Sequence, residues 1–492
     1  MSCIRRSCIR RLSVLVPVLA SALLASVLVG CATPPRAQPH RLPVKHRKAP
    51  PIQVHVDVKP GLLDVDYRLP LAWLPSLPKT VDLRFFAQAV FSKAGQKRYV
   101  DFVRLLGPKG QELPFGGHFQ LPGPYVRHGT LHIHYRVRLK HHEAGPIYGR
   151  DDAPHPTKKG WQLIGRAFLP QTILLDKNKR LGLRTQLSFS LPSGWHMTST
   201  FDRDDTEFHG RTMAMVHAVY HVGRFARREV HQGKTVVEIV SGDFDARELA
   251  PVEKLVGAAL DQGEALLGKL GKRRLLVVID KNPEGFQGGV IGGTVTVTTA
   301  VAPLPNAMEA TGVVLIHELM HLWNRADRFW LHEGMARYLE LLVKLRVDHA
   351  SPARAIDELL SIYRAYRQHA KAGRTIAKAQ ALAYDGGATA LFCADAELRA
   401  QHQGTILDVH RATRAHATSS GGRLSTQGFL AEIARRSPAI AKRLVKRLAS
   451  TQPIDIAPCL VAAGYAPTTL TYRGYTHKAI LTDVLRVSCL TG

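Results

Sequence analysis

The sequence predicts a multidomain α+β protein, with an N-terminal antiparallel β-sandwich-like domain and a C-terminal α-helical domain. Three observations support this fold class. The chain has 492 residues, of which 45% are hydrophobic and 22% are charged, as is typical of globular proteins. Polar and apolar residues alternate with period two before about residue 245, and helical periodicity dominates after Leu249. The composition excludes a disordered or fibrous chain, and the length allows two or three domains.

The first thirty residues have the pattern of a secretory signal. Four arginines precede an apolar run from Leu12 to Val29, and the run ends in Gly30 and Cys31. A retained transmembrane helix is the alternative, because about 18 apolar residues can just cross a bilayer. Leu28–Cys31 resembles the lipobox of bacterial lipoproteins, which implies cleavage before Cys31 and a lipid on that residue. We predict a signal peptide over 1–30 and a proline-rich basic tether over 31–52.

Residues 53–245 are predicted to form the β-rich N-terminal domain. Apolar residues recur at every second position in segments such as 52–58, 131–139 and 183–191. Turn pairs such as Pro60-Gly61 separate these segments. Such alternation is typical of antiparallel strands with one buried and one solvated face, as in a sandwich.

The pattern then changes to mixed helix and strand. We predict a helix over 251–270, a buried strand over 274–280, a β-branched strand over 294–299, and helices over 307–323 and 331–347. From 352 to 465 the chain is predicted to be mostly helical, with breaks near Gly373, Ser419 to Gly422 and Pro438. The sequence contains neither a Walker-type phosphate loop nor a dinucleotide-binding glycine fingerprint.

The chemistry is concentrated in the motif His317-Glu318-Leu319-Met320-His321. Positions i and i+4 share a helix face, so both imidazoles can reach one metal ion. Zinc takes neutral imidazoles together with a carboxylate, and it leaves one position open for water. Glu318 is placed to accept a proton from that water as general base. The motif therefore predicts a zinc hydrolase, with His317 and His321 as metal ligands.

The next helix completes a family resemblance. Trp330-Leu331-His332-Glu333-Gly334 is similar to the second zinc motif of the gluzincins, and His321-Leu322-Trp323-Asn324 matches a pattern of the glycyl aminopeptidases, relatives of aminopeptidase N. The resemblance implies that Glu333 is the third zinc ligand. It also implies a thermolysin-like catalytic domain core over 246–350, a helical domain over 351–470 that completes the cleft, and a short C-terminal tail over 471–492.

The same resemblance covers two further segments. Tyr384-Asp385-Gly386-Gly387-Ala388 resembles the family segment in which the tyrosine hydroxyl stabilises the oxyanion. Gly288, Gly289, Gly292 and Gly293 occupy the place of the family's substrate-binding edge strand, which implies a role in holding the peptide backbone. The family anchors the substrate amine with acidic residues there, but no Asp or Glu occurs between Gly285 and Ala307. Exopeptidase and endopeptidase action both stay open.

Other ligand sets stay open at this stage. Asp327 would be the third ligand in a metzincin-like pattern beginning at His321, although Asn324 replaces the glycine which that pattern needs. His332 and Glu340 are further candidates, and Glu340 is placed to support a ligand from behind. Only eleven residues, 322–332, separate His321 from Glu333, which implies a short loop and an open cleft rim.

The expected function is zinc-dependent peptide hydrolysis in the bacterial cell envelope, with aminopeptidase action as one form. The alternative is a catalytically inactive, peptidase-like binding protein. The net charge of +28 suits an anionic lipid or lipopolysaccharide surface. No basic helix with interleaved aromatic residues predicts nucleic-acid binding. A lipid on Cys31 would tether the protein on the periplasmic side, and the absence of Asp after Cys31 favours the outer membrane. The oligomeric state is left open.

Cysteine usage fits this compartment. Three cysteines follow Cys31, too few for a disulfide scaffold. Cys393 lies in an apolar stretch and is expected to be a buried packing residue. Cys459 and Cys489 could pair in an oxidising periplasm.

Overall fold

The structure, a computed structural model, describes most of the chain after the predicted tether. The described residues are 50–71, 80–85, 100–113, 118–120, 129–139, 154–172, 184–270, 273–281, 287–291, 293–299, 304–370, 373–419, 423–465, 468–472 and 475–479. Cys31, Gly292, Cys489 and the predicted signal lie outside these ranges. Of the helices within these ranges, none combines the length and apolarity that crossing a bilayer requires.

The described residues contain twenty strands. In chain order they are β1 (Ile52–Lys59), β2 (Leu62–Pro70), β3 (Thr80–Phe85), β4 (Val100–Leu106), β5 (His118–Gln120), β6 (Thr130–Arg138), β7 (His155–Thr157), β8 (Gly160–Ile164), β9 (Pro170–Thr172), β10 (Arg184–Ser190), β11 (His196–Ser199), β12 (Glu207–Arg211), β13 (Val219–Gly223), β14 (Ala226–Gln232), β15 (Thr235–Ser241), β16 (Arg273–Lys281), β17 (Gln287–Ile291), β18 (Thr294–Thr299), β19 (Thr468–Tyr472) and β20 (Tyr475–Ala479).

The same ranges contain twelve helices, most of them after residue 303. They are α1 (Gly165–Phe168), α2 (Thr212–Val216), α3 (Ala250–Leu267), α4 (Leu304–Met320), α5 (Phe329–Val347), α6 (Pro352–His369), α7 (Gln380–Ala383), α8 (Asp385–Ala400), α9 (Ile406–Ser419), α10 (Thr426–Arg436), α11 (Pro438–Ala449) and α12 (Ala457–Ala462). The architecture is therefore mixed α+β with a helical C-terminal region, as predicted.

Two sheets of the β-rich region pack on each other through aromatic side chains. The larger sheet has the order β12-β10-β1-β2-β6-β4, and the smaller has the order β11-β13-β8-β7. Buried residues recur at every second position along β1 and β6, as the sequence pattern predicts. The rings of Phe189 on β10 and Tyr220 on β13 lie 5.2 Å apart, centroid to centroid. Ring packing of this kind joins the two layers into a sandwich-like core.

The prediction of a wholly antiparallel sandwich is wrong at one strand pair. β1 pairs with β10 in parallel, with Ile52 opposite Thr185, although β1 pairs with β2 antiparallel. The tight turn at Gly61 forces β1 and β2 to run in opposite directions. A long connection separates β1 from β10, and a connection of that length permits either direction.

A separate, five-stranded sheet carries the candidate site, and its order is β14-β15-β16-β18-β17. β15, β16 and β18 are parallel, whereas β14 and β17 pair antiparallel at the two edges. The central strand β16 is buried from Leu275 to Asp280, which explains its continuous apolar sequence. β14 and β15 precede residue 246, so this sheet begins before the predicted start of the catalytic region.

The helices pack in one hydrophobic core with this sheet. α4 packs on β17 and β18, and α5 packs on both α4 and α8. A Cβ atom at Gly334 of α5 would lie 2.9 Å from the Cα of Gly387 on α8. Only glycine allows the two helix backbones to come this close. The contact brings Glu333, the residue before Gly334, near the N-terminus of α8.

A disulfide ties α8 to α12. It joins Cys393 to Cys459, which are 66 residues apart in sequence. Both cysteines are fully buried. The expected burial of Cys393 is confirmed, but this residue forms a disulfide, and Cys459 pairs with it rather than with Cys489. Sequence distance does not indicate which buried thiols the helix packing brings together.

Candidate metal centre

The end of α4 presents the histidines and the glutamate of the motif on one side: His317 and Glu318 lie in its last turn, and His321 directly follows its last residue. His317 and His321 lie one turn apart, and their ring centroids are 5.0 Å apart in an edge-on arrangement. His317, Glu318 and His321 are 8%, 8% and 4% exposed. Apolar neighbours such as Leu315 and Leu319 anchor the opposite face of the helix in the core. The burial holds both imidazoles in fixed orientations.

Glu333 meets both histidines from α5. Its Oε2 atom lies 3.2 Å from Nε2 of His317 and 3.3 Å from Nε2 of His321. The ligand atoms of the three residues all lie within 4.8 Å of one another. Two ligands on a tetrahedral zinc ion, with bonds of about 2.1 Å, lie about 3.4 Å apart. The carboxylate oxygen therefore lies at zinc-ligand spacing from both nitrogens, and the three residues supply ligand types that zinc prefers.

The electrostatic environment of His317 also favours a cation. Burial lowers the pKa of His317, but its hydrogen bonds to Glu333 and Glu340 and the nearby charge of Glu318 outweigh burial and raise that pKa to about 10. Burial raises the pKa of Glu333, but the two histidines outweigh it and hold that pKa well below its usual range. The pocket therefore has a negative potential that attracts a proton or a metal ion.

A chain of charged groups supports His317 from behind. Nδ1 of His317 lies 3.2 Å from Oε2 of Glu340, and Arg337 forms an ion pair with the other oxygen of Glu340. Nε of Arg337 also lies 3.2 Å from Oδ1 of Asp385, at the start of α8. The contact with Nδ1 leaves Nε2 as the nitrogen that faces Glu333. Sequence reasoning proposed Glu340 for such a place but missed Arg337 and Asp385. The spacing of three residues from Glu340 within α5 could have indicated Arg337, whereas Asp385 lies on α8 and only the packing brings it here.

Asn324 fixes the short loop between α4 and α5. Its amide group donates hydrogen bonds to the carbonyl oxygens of Leu331, at 3.2 Å, and His332, at 2.6 Å. Trp323 donates from its indole nitrogen to the carbonyl oxygen of Gly268 at 2.7 Å. Asn324 therefore positions the first turn of α5, which carries Glu333, while Trp323 ties the start of the loop to the end of α3.

Glu318 faces the edge strand β17. A Cβ atom placed on Gly288 would lie 2.6 Å from Cγ and 2.7 Å from Oε1 of Glu318. A Cβ atom on Gly289 would meet nothing closer than Oγ1 of Thr296, at 3.7 Å. Gly293 has a φ of 102° in the turn before β18, a conformation that glycine adopts readily. The structure thus brings Gly288 to the site, while Gly289 lies further from Glu318 and Gly292 is outside the described residues.

Tyr384 lies at the N-terminus of α8, beside the histidines. Its ring centroid is 5.7 Å from that of His317 and 5.7 Å from that of Phe329. The residue is 37% exposed, so one side of the ring faces solvent. The close packing of α5 on α8 at Gly334 puts this tyrosine over the same pocket as the three candidate ligands.

The two competing ligand candidates lie outside the three-residue cluster. Asp327 accepts hydrogen bonds from the backbone nitrogen and the hydroxyl of Thr426. His332 stacks on His321 with a centroid distance of 4.2 Å, and its Nε2 atom is 3.9 Å from Glu333. Burial, together with the positive charges of His321 and Arg423, lowers the pKa of His332 to about 4.

Comparison with known proteins was made at three levels. No protein-family model matches the chain, and no curated protein matches it. Solved structures do match. An aminopeptidase N family protein from Idiomarina loihiensis has a TM-score of 0.64 at 12% identity, over 83% of this chain and 78% of that one.

An M1 zinc metallopeptidase from Deinococcus radiodurans has a TM-score of 0.52 at 16% identity, over 83% of this chain and 95% of that one. A mutant of a two-domain M1 zinc metallopeptidase, solved with L-arginine bound, has a TM-score of 0.50 at 17% identity, over 82% and 96% of the two chains. Structural likeness at such identities establishes a common fold, and function has to be argued from the site. The chain therefore has the fold of the M1 zinc metallopeptidases.

Proposed function

We propose that this protein is a zinc-dependent peptidase. The observation that carries the proposal is the buried cluster of His317, His321 and Glu333, with the carboxylate of Glu318 between that cluster and the edge of β17. These three residues would hold the zinc ion. When bound, zinc acts as a Lewis acid that activates water and polarises a carbonyl group.

Glu318 performs the proton transfers in this proposal. Its carboxylate accepts the proton of the attacking water, and the same group then donates that proton to the leaving amine. Its position beside Gly288 keeps it between the candidate metal ligands and the strand on which a peptide would lie. Tyr384 donates a hydrogen bond to the oxygen that becomes negative as water adds to the carbonyl.

The edge of β17 supplies the substrate-binding surface. β17 is the last strand of its sheet, and within the described part of the chain no strand pairs with its outer side. An extended peptide can add there as a further strand through backbone hydrogen bonds. The absence of a side chain at Gly288 leaves room for this peptide next to Glu318.

Two substitutions test the proposal. Purified Glu318→Gln protein should keep one zinc ion and lose hydrolysis of a mixed peptide library. Glu333→Ala protein should lose the metal, as measured by elemental analysis after dialysis. Hydrolysis that continues at the wild-type rate in Glu318→Gln protein would refute the mechanism. Zinc retained at full stoichiometry in Glu333→Ala protein would move the third ligand elsewhere.

The lack of acidic residues between Gly285 and Ala307 favours one alternative, a peptide-binding protein without catalysis. In that case the wild-type protein would bind peptides but would hydrolyse none, with or without added zinc. Treatment with a chelator separates the two functions, because only the peptidase loses product formation.

We further propose that the protein is a lipid-anchored protein of the bacterial envelope that faces the periplasm. The basis is the sequence around Cys31, together with the basic tether that follows it. Mass analysis of the mature N-terminus tests this directly. A diacylated Cys31 is expected, and an N-terminus that retains residues 1–30 would contradict it.

A further inference from the structure

The rim of the candidate site has several exposed arginines. Arg325 and Arg328 lie in the short loop between α4 and α5, and both are exposed. Arg423, also exposed, lies in the segment that pairs with this loop through a parallel bridge between Ala326 and Leu424. The backbone nitrogen of Leu424 donates to the carbonyl oxygen of Arg325 at 2.7 Å. The bridge therefore brings Arg325 and Arg423 side by side on neighbouring segments.

These arginines border both the metal cluster and the edge strand. A Cβ atom on Gly293 would lie 4.0 Å from an Nη atom of Arg325, so this guanidinium group lies at the turn that ends β17. The charge of Arg423 acts on His332, whose ring stacks on the candidate ligand His321. A peptide lying along β17 from Gly288 towards Gly293 would therefore approach these positive charges.

The arginines of the loop and its partner segment outnumber the acidic residues of the same two segments. In the parts of the chain that the structure describes, no carboxylate lies within ion-pair distance of Arg328 or Arg423. Asp327, the acidic residue of the loop, is held by two hydrogen bonds from Thr426 and keeps its negative charge. Three arginines therefore stand against one carboxylate in the loop and its partner segment. Since Gly285 to Ala307 contains no Asp or Glu, the strand and turn beside the arginines contribute no acidic side chain.

We propose that the site selects peptides that carry a carboxylate on the side of the cleft near Arg325 and Arg423, and that it disfavours a free ammonium group there. This inference rests on the proposed function, because it assumes that a peptide lies on β17. An extended peptide rises about 3.3 Å per residue, so the Gly293 end lies roughly five residues from Gly288 along the strand. With the reach of an arginine side chain, the carboxylate would lie about three to five residues from the hydrolysed bond.

The carboxylate could come from an acidic side chain or from the C-terminus of the peptide. A peptide series distinguishes the two sources. One scaffold carries Glu, Gln or Lys at each position in turn, and each peptide is made with a free or an amidated C-terminus. A preference for Glu at one position indicates a side chain, whereas loss of binding on amidation indicates the terminus.

Peptide affinity is measured on zinc-loaded Glu318→Gln protein, so the test does not depend on turnover. At low ionic strength we expect the carboxylate peptide to bind about three- to thirty-fold more tightly than its uncharged counterpart, because two rim cations act on it. The preference should fall at high salt, since exposed charges are screened. Adding Arg423→Gln, or Arg325→Gln, should lower the ratio of the two affinities. Lys442→Gln, which changes an exposed cation on α11, should leave the ratio unchanged.

The outcomes separate this inference from the function on which it rests. Equal affinity for Glu, Gln and Lys peptides, or a preference for Lys, would overturn the inference even if wild-type protein hydrolyses peptides. A carboxylate preference that disappears with Arg423→Gln supports the inference. If wild-type protein then hydrolyses none of the series, the peptidase function fails while the binding preference stands.

Discussion

The contact between Glu340 and His317 gives the sharpest test of how the site holds its metal. We predict that Glu340→Gln weakens zinc binding by about 10- to 100-fold, the usual effect of losing a carboxylate behind a ligating histidine. The reason is local. Oε2 of Glu340 lies 3.2 Å from Nδ1 of His317, and a carboxylate there makes the ring a better metal ligand. Nδ1 of His321 is buried without a hydrogen-bond partner in the described residues, so the effect passes through His317 alone.

The magnitude follows from replacing a charged hydrogen-bond acceptor by a neutral one. A glutamine can still accept from Nδ1, but a neutral hydrogen bond has roughly half the strength of a charge-assisted one. A 10- to 100-fold loss corresponds to about 1.4 to 2.8 kcal/mol. Arg337 keeps its contact with Asp385 at 3.2 Å, so the substitution does not leave this arginine unpaired.

Zinc affinity is measured by competition with a chromophoric chelator. Glu397→Gln is the matched control, because Glu397 of α8 is likewise an ion-paired helix glutamate, with Arg443 and Arg447 as partners, and lies in none of the contacts of the candidate site. Zinc affinity within two-fold of wild type in Glu340→Gln protein would refute the reasoning. An equal loss of zinc affinity in both variants would show that the effect comes from general destabilisation of the protein.

Three further predictions concern the edge strand, a buried ionisable pair and the disulfide. Gly288→Ala should lower kcat for peptide hydrolysis by about 10- to 100-fold, because the new Cβ displaces Glu318. The control Gly289→Ala should keep kcat within about three-fold of wild type. Equal effects of the two substitutions would contradict this account of β17. Burial and the charge of Asp243 raise the pKa of Asp280 to about 8, and burial lowers that of His221 to about 3. Between its ordinary pKa and pH 8, Asp280 therefore holds a proton in the folded protein that the unfolded chain has released. This extra proton stabilises the folded protein, and the stabilisation is lost as the pH rises through 8. His221 has the opposite effect only below its ordinary value of 6.5, so of these two residues only Asp280 contributes between pH 6.5 and 8. In wild-type protein the free energy of unfolding should therefore fall between pH 6.5 and 8, and Asp280→Asn should remove about 1 to 2 kcal/mol of this fall. Denaturant titrations at the two pH values measure it, and an equal fall in both proteins would contradict the prediction. Replacing Cys393 and Cys459 by Ala should lower the free energy of unfolding by about 2 to 4 kcal/mol, and peptide mapping without reductant should recover the Cys393–Cys459 link rather than one to Cys489.

The sequence by itself determined the local features of this protein. Residues four apart on a helix share a face, so His317 and His321 were assigned to one site without any knowledge of the fold. Alternation of apolar residues predicted strands such as β1 and β6, because side chains along a strand point to opposite faces in turn. The breaks between the C-terminal helices also lie near the predicted glycines, serines and prolines.

Contacts between distant segments were decided only by the tertiary structure. The sequence does not show that Gly334 lets α5 pack against α8, a contact that brings Glu333 and Tyr384 over one pocket. Neither does it show that Cys393 meets Cys459, or that Leu424 pairs the segment of Arg423 with the loop before α5. Periodicity records which face of an element is buried, but packing against other elements determines what that face meets. The metal motif could therefore be read from five consecutive residues, whereas its supporting charges and its arginine rim could not.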